Sequence, residues 1–259
     1  MAADLHVHRY GPDGPIHVLA IHGLTGHGKR WHALATRQLP DVTIAAPDLI
    51  GHGRSSWDAP WSMDANVDAL AALLDADGGG PVAVVGHSFG GAIALGLAAA
   101  RPDLVDALVL LDPAAGLRGR RMREIADETL ASPDYTDRDE ARADKVAGSW
   151  AEVPTSDLEA DLDELLIPWP GGRVGWRMSL PAIISYWSEL ARPIVVPRNG
   201  TPTTLLRATK TDPPYADALV EALRARLGQE FRLVDLDCDH MVPLARPEET
   251  AAAVRERLH

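Results

Sequence analysis

The segment Val82-Ala83-Val84-Val85-Gly86-His87-Ser88-Phe89-Gly90-Gly91 constrains the fold more than any other stretch of this chain. Four apolar residues precede Gly86, and three of them are β-branched valines, so the run reads as a buried central strand. From Phe89 to Ala100 an Ala- and Leu-rich stretch reads as a buried helix packed on a sheet. A strand, a glycine-flanked turn centred on Ser88 and a helix follow in the order that a nucleophile elbow requires. The helix aims its positive end at the serine, so backbone N–H groups there can stabilise an oxyanion. Five-residue G-x-S-x-G matches also arise by chance, and the plainer reading is a glycine-rich turn with an incidental serine. The rest of the chain must supply a base and an acid.

Apolar strand-like runs alternate with helix-like runs, which signals an α/β fold with a mostly parallel central sheet and helices on both faces. Leu5 to Tyr10, Ile16 to Ile21, Val42 to Ala46, Val82 to Val85, Leu104 to Leu111, Thr203 to Ala208 and Phe231 to Leu236 read as strands. Helices are expected over Met63 to Asp75, with Ser62 as N-cap and Gly78 beyond its end, over Pro214 to Leu227, and over Pro247 to Leu258. From about Ala114 to Pro202 the clear strands stop. Residues 1–113 and 201–259 therefore read as one core, interrupted by an inserted, mostly helical segment at 114–200.

Composition removes several function classes. A net charge of -12, with no basic stripe, argues against nucleic-acid binding and against attraction to anionic membranes. The single cysteine, Cys238, permits no intramolecular disulfide. No run is long and apolar enough for a membrane span, and the start lacks the regions of a signal peptide. The expectation is a cytoplasmic protein acting on a small-molecule substrate. Oligomeric state is not legible.

A serine hydroxyl is a weak nucleophile that needs a base in reach and a third group to orient that base. His240 follows the Phe231 to Leu236 strand and is the candidate base. Asp212 follows the Thr203 to Ala208 strand and Asp112 follows the Leu104 to Leu111 strand, and either could orient it. Both give the chain order serine, acid, histidine. Asp237, Cys238, Asp239 and His240 could also be read as a metal cluster, but adjacent ligands do not easily converge on one ion. The turn His22-Gly23-Leu24-Thr25-Gly26 after the Ile21 strand allows a close backbone approach to a substrate oxygen. The expected oxyanion donors are the N–H groups of Leu24 and Phe89.

Taken together, His22-Gly23, Asp48-Leu49-Ile50-Gly51-His52-Gly53-Arg54-Ser55-Ser56, Gly86-His87-Ser88-Phe89-Gly90-Gly91 and Asp239-His240-Met241-Val242-Pro243 resemble the α/β-hydrolase superfamily across nearly the whole chain. The resemblance implies that 114–200 is a helical cap over the site, with no metal and no organic cofactor. It favours Asp212 as the acid over Asp112, because the usual acid lies later in such folds. A serine at position 88 argues against the dehalogenase and epoxide-hydrolase branches, which carry aspartate there. The implied activity is a serine hydrolase cleaving an ester or related acyl bond of a small, largely apolar substrate. Carbon–carbon hydrolase, lactonase or acyltransferase chemistry on the same triad is the alternative, and a non-catalytic ligand-binding protein is a more distant one. Candidate pocket residues are His22, Thr25, Trp150, Trp169, Trp176 and Trp187, since tryptophan rings supply rigid apolar walls. The plainer role for the tryptophans is to fix the cap to the core. Trp57 and Trp61 are candidates for the entrance.

Overall fold

Valine, isoleucine and leucine fill both faces of the inner strand-like runs, as central strands of a covered sheet require, while the first and last runs carry polar residues on one face and suit its edges. In the computed structural model, which describes residues 4–211 and 216–258, they pair into one seven-stranded sheet. Its strands are β1 (Val7–Tyr10), β2 (Val18–Ile21), β3 (Ile44–Pro47), β4 (Val82–His87), β5 (Val105–Leu111), then β8 (Thr203–Ala208) and β9 (Phe231–Leu236). The spatial order is β1-β3-β2-β4-β5-β8-β9. Only β1 runs antiparallel to its neighbour, β3.

Alternation along each strand divides the core in two. Leu19, Ile21, Val84, Leu108 and Leu110 face one layer, with α1 (Met63–Asp77), α2 (Phe89–Ala100) and α7 (Asp217–Leu227) on it. Val18, Ala20, Val85, Val109 and Leu111 face the other, covered by α9 (Pro247–Arg255) and residues 34–38. Helix α1 starts and stops where the sequence placed its signals. Ser62 Oγ accepts from Ala65 N at 3.1 Å, and Gly78 closes the helix at φ 67°.

Between β5 and β8 the chain makes the inserted excursion. It carries α3 (Gly119–Ala131), α4 (Arg138–Ala147), α5 (Thr155–Leu165) and α6 (Leu180–Glu189). The expectation of a segment without strands fails in one place. The strands β6 (Leu166–Trp169) and β7 (Arg173–Trp176) form an antiparallel hairpin, turned by Gly171 and Gly172, both at φ 77°. Helix α6 does not stand apart from the core. Ala182, Ile183 and Tyr186 are fully buried in the α1/α2 layer, and the Tyr186 hydroxyl donates to Ile50 O at 2.9 Å. Among the described residues no helix is long and apolar enough to cross a membrane.

Candidate active site

Adjacent strands deliver their C-terminal ends side by side, which is where doubly wound sheets place their sites. Ile21 of β2 pairs with Gly86 of β4, and His87 of β4 pairs with Leu111 of β5. The residues just beyond, His22-Gly23, Ser88 and Asp112, are therefore neighbours before any side chain is considered.

Ser88 sits between β4 and α2 at φ 54°, ψ −119°, a conformation that L-residues rarely adopt. The flanking glycines are needed for space. A Cβ on Gly86 would lie 2.4 Å from Gly90 O, and one on Gly90 would lie 2.3 Å from Ile21 O. The serine N–H donates to Leu111 O at 3.0 Å and its carbonyl accepts from Gly91 and Ala114, which fixes the turn.

The turn at residues 22–26 packs directly against it: a Cβ on Gly23 would meet Ser88 Cβ at 3.1 Å. Thr25 takes φ 59°, and Gly26 N donates to Gly23 O at 3.0 Å. The N–H groups of Leu24 and Phe89 donate to no other described group. Two backbone donors left unmatched, one at a helix N-terminus and one in a tight turn, can each donate to an anion.

His240 Nδ1 lies 2.6 Å from Asp112 Oδ2. Asp112 is buried, at φ 40°, and its carboxylate also accepts from Thr211 Oγ1 at 2.9 Å and from Ala208 N at 3.2 Å. Two non-glycine residues in the left-handed region, Ser88 and Asp112, thus meet at one site, where backbone strain is typically concentrated. Of the two candidate acids, the one among the described residues, Asp112, has its carboxylate against the imidazole. Asp212 itself lies outside the described residues. His240 is further fixed through its backbone. Its N–H donates to Asp239 Oδ1 at 2.7 Å, and its carbonyl accepts from His87 Nε2 at 2.8 Å. Burial, reinforced by His240, holds the His87 pKa well below the ordinary histidine value, so His87 is a neutral donor.

Ser88 and His240 open into a cavity of about 210 Å³. Leu24, Thr25, Trp150 and Trp187 line it, as do His87, Arg30, Leu117, Met122, Ile125, Ser149, Leu190 and Met241. The second group escaped the sequence reading, although Met122 and Ile125 carry a readable signal. They are apolar, three apart, and stand in an otherwise charged helix, which marks one inward face. Thr25, Ser149 and Trp150 also border an adjoining cavity of about 450 Å³, and Trp176 lines that one instead.

Two pocket candidates are corrected. His22 is a buried structural residue: its Nε2 accepts from Leu49 N at 2.9 Å and its Nδ1 donates to Gly23 O at 2.8 Å. Trp169 covers Gly175 within the hairpin and lines neither cavity. Trp57 and Trp61 also lie away from both, with their indole N–H groups on Gly53 O and Trp57 O. The metal reading of residues 237–240 finds no support. His240 Nδ1 is on a carboxylate, and burial pushes the Cys238 thiol up to about 11.

Beside the cavity a buried ionic hub ties the insert to the core. Asp161 of α5 receives Arg30 Nε at 2.6 Å, Lys145 Nζ at 2.8 Å and His27 Nε2 at 2.9 Å. Lys145 lies over the rings of Trp150 and Trp176, at 4.1 and 4.7 Å. Burial lowers its pKa to about 8, despite Asp161. That value is below the ~10.4 of an unfolded lysine, so between them the unfolded chain holds more protons. The Lys145 contribution to stability therefore rises with pH across that window. Urea unfolding at about pH 7 and about pH 10 should show wild type gaining stability relative to Lys145→Met. An equal difference at both pH values would mean that Lys145 keeps its ordinary pKa.

Comparison with known proteins places these features. The sequence profile of the alpha/beta hydrolase family matches residues 18–253. The lipase LipV of Mycobacterium tuberculosis is 62% identical over 259 residues, covering 100% of this chain and 99% of that protein. A pimeloyl-[acyl-carrier protein] methyl ester esterase of Neisseria meningitidis is 35% identical over 122 residues, 47% of this chain and 45% of the relative. Among solved structures, E-2-(acetamidomethylene)succinate hydrolase superposes with a TM-score of 0.83 at 23% identity, over 98% of this chain and 94% of the other. At that identity the likeness shows the fold alone.

Proposed function

The chain belongs to the alpha/beta hydrolase family, and from that premise we propose that it is a serine esterase cleaving small, largely apolar carboxylic esters through a Ser88–His240–Asp112 triad. The observation that carries the reading is Ser88, held at φ 54° in one cavity with a histidine whose Nδ1 is 2.6 Å from a buried carboxylate. The full-length likeness to a protein named a lipase supports the ester bond as target.

With its Nδ1 proton engaged by Asp112, the His240 imidazole keeps its basic lone pair on Nε2. It takes the Ser88 proton as Oγ attacks the ester carbonyl. The N–H groups of Leu24 and Phe89 hold the resulting oxyanion. The tetrahedral adduct collapses, the carbon–oxygen bond to the alcohol breaks, and the imidazolium returns the proton to the leaving alkoxide. Water, deprotonated by the same imidazole, then releases the acid from Ser88. Asp112 fixes the ring and stabilises its charged form.

The insert acts as the cap. Leu117, Met122 and Ile125 at and in α3, with Trp187 and Leu190 at α6, wall the apolar side that takes the acyl chain. The more polar adjoining cavity, with Lys145, Tyr135 and Asp144, receives the alcohol. At about 210 Å³ the cavity lies below the ~300–1,000 Å³ of drug-sized pockets, which suits a short acyl chain. The p-nitrophenyl butyrate ester should therefore give a higher kcat/KM than the palmitate; the opposite order would refute this division of the site.

Intact-protein mass spectrometry after treatment with a fluorophosphonate tests the nucleophile. Attack of Ser88 Oγ on phosphorus expels fluoride and leaves a phosphonyl ester. One adduct on wild type and none on Ser88→Ala is the expected result. No adduct on wild type, or an equal one on the variant, would remove Ser88 from the chemistry.

A further inference from the structure

Three metal-type ligands converge at the outer edge of the sheet, on the side of β1. His6 and His8 flank Val7 two residues apart, so an extended backbone puts both on one face. Asp48 directly follows β3, and the antiparallel pairing sets it beside them: Val7 stands opposite Pro47, and Asp48 N donates to His6 O at 2.9 Å. One ring nitrogen from each histidine and one carboxylate oxygen from Asp48 all lie within 4.8 Å of one another.

Several details separate this cluster from a chance pair of surface histidines. His8 Nε2 is buried and stands 3.4 Å from Asp48 Oδ1, outside good hydrogen-bond geometry. The two are held face to face at a separation that a shared cation bridges. A separation of 3.4 Å is also close to the ~3.3 Å edge of a tetrahedron built on bonds of about 2.0–2.1 Å, the zinc–nitrogen and zinc–oxygen lengths. The carboxylate is pre-oriented: Gly28 N donates to Oδ1 at 2.7 Å and Arg54 N to Oδ2 at 2.8 Å. Gly53 makes room for it, since a Cβ there would lie 2.1 Å from Oδ2. Outer hydrogen bonds of this kind are how proteins aim a metal ligand.

We propose that His6, His8 and Asp48 form a binding site for a divalent transition-metal ion of the zinc type, separate from the hydrolytic centre. Two imidazoles and a carboxylate are the donor set that zinc accepts, with water as fourth ligand on the exposed His6 side. If the atom pairs are 3.4, 4.8 and 4.8 Å apart at the widest, the point equidistant from them is about 2.6 Å from each. Closing to bonding distance needs each atom to move inward by about 0.5 Å, or the exposed His6 ring alone to swing in by about 1.2 Å while the His8–Asp48 separation is kept. The bound ion cross-links the first strand to the loop after β3, so it stabilises the fold and takes no part in ester cleavage.

The test is calorimetric titration of the untagged, EDTA-stripped full chain with zinc chloride, alongside His6→Ala and His8→Ala. His6 is exposed, so His6→Ala keeps the fold whatever happens at His8. Wild type should take up one equivalent, with a rise in melting temperature. Each variant should lose at least the roughly 10- to 100-fold in affinity that the loss of a mere outer-shell partner costs. No uptake by wild type, or wild-type affinity in either variant, would overturn the site.

Discussion

Ser88→Ala should lower ester hydrolysis by roughly 10⁶-fold in kcat, the scale on which removal of a triad nucleophile acts. The fold should not suffer. The backbone bonds that hold the turn run through the Ser88 N–H and carbonyl, which alanine keeps, and the space around the turn is set by Gly86 and Gly90. The melting temperature should thus stay at or slightly above that of wild type, because the position serves the reaction at some cost to backbone strain. Steady-state rates on p-nitrophenyl butyrate and a thermal melt on the same preparation check both halves. A rate loss accompanied by unfolding would leave the nucleophile to be judged by Ser88→Cys, which retains a nucleophilic atom at the same place. Activity close to wild type in a folded Ser88→Ala would end the proposed mechanism.

Asp112→Asn should cost about 10⁴-fold, and Asp212→Asn far less. The physical reason is the tautomer. An asparagine at position 112 can turn its NH₂ toward His240 Nδ1, which then becomes the acceptor, so that the proton moves to Nε2 and the base is lost. Asparagine tolerates the left-handed region as well as aspartate does, so φ 40° at this position is no obstacle to folding. The comparison of kcat/KM for the two variants is therefore a test of role. A larger loss in Asp212→Asn would return the acid to the later strand.

That second prediction departs from the choice made from sequence, because the structure shows the Asp112 carboxylate on His240. Both aspartates follow strands, and both fit the order serine, acid, histidine. Strand order alone does not decide between them. β5 lies directly beside β4, whereas β8 is one strand further out. Neighbouring strands are about 4.8 Å apart, so the end of β5 lies a strand closer to Ser88, while the end of β8 lies a strand closer to the end of β9 that leads to His240. The parallel register, Leu111 opposite both His87 and Leu206, then brings Asp112 level with the elbow. No property of a linear chain reports that adjacency.

The tryptophans teach a related point. Trp150 and Trp187 reached the catalytic cavity, Trp176 the adjoining one, and Trp169 neither. Ring size and apolarity are the same in all four, so composition could not rank them. Their destinations depend on the β6–β7 hairpin, which the sequence hid because Pro168, Gly171, Gly172 and Gly175 read as loop. Arg30 was hidden for another reason. A lone arginine is ordinarily a solvated surface residue, and only its burial against Asp161 and the ring of Trp150 brings it to the cavity wall.

What the sequence determined by itself was local or periodic. The strands Thr203–Ala208 and Phe231–Leu236 were legible residue for residue, because short runs of mostly apolar or β-branched residues between turn signals are enough to mark a strand. Ser62 and Gly78 fixed the ends of α1 through caps made within a few residues of chain. The glycines of 86–91 specified the elbow, because steric exclusion acts on the residues that carry it. What only the tertiary structure decided was which distant groups share a few ångströms. The carboxylate on His240, the buried hub at Asp161 and the meeting of His6 and His8 with Asp48 each join residues far apart in the chain. Such contacts follow from strand order and register, which are fixed by the packing of the whole core, and short-range pattern does not contain them.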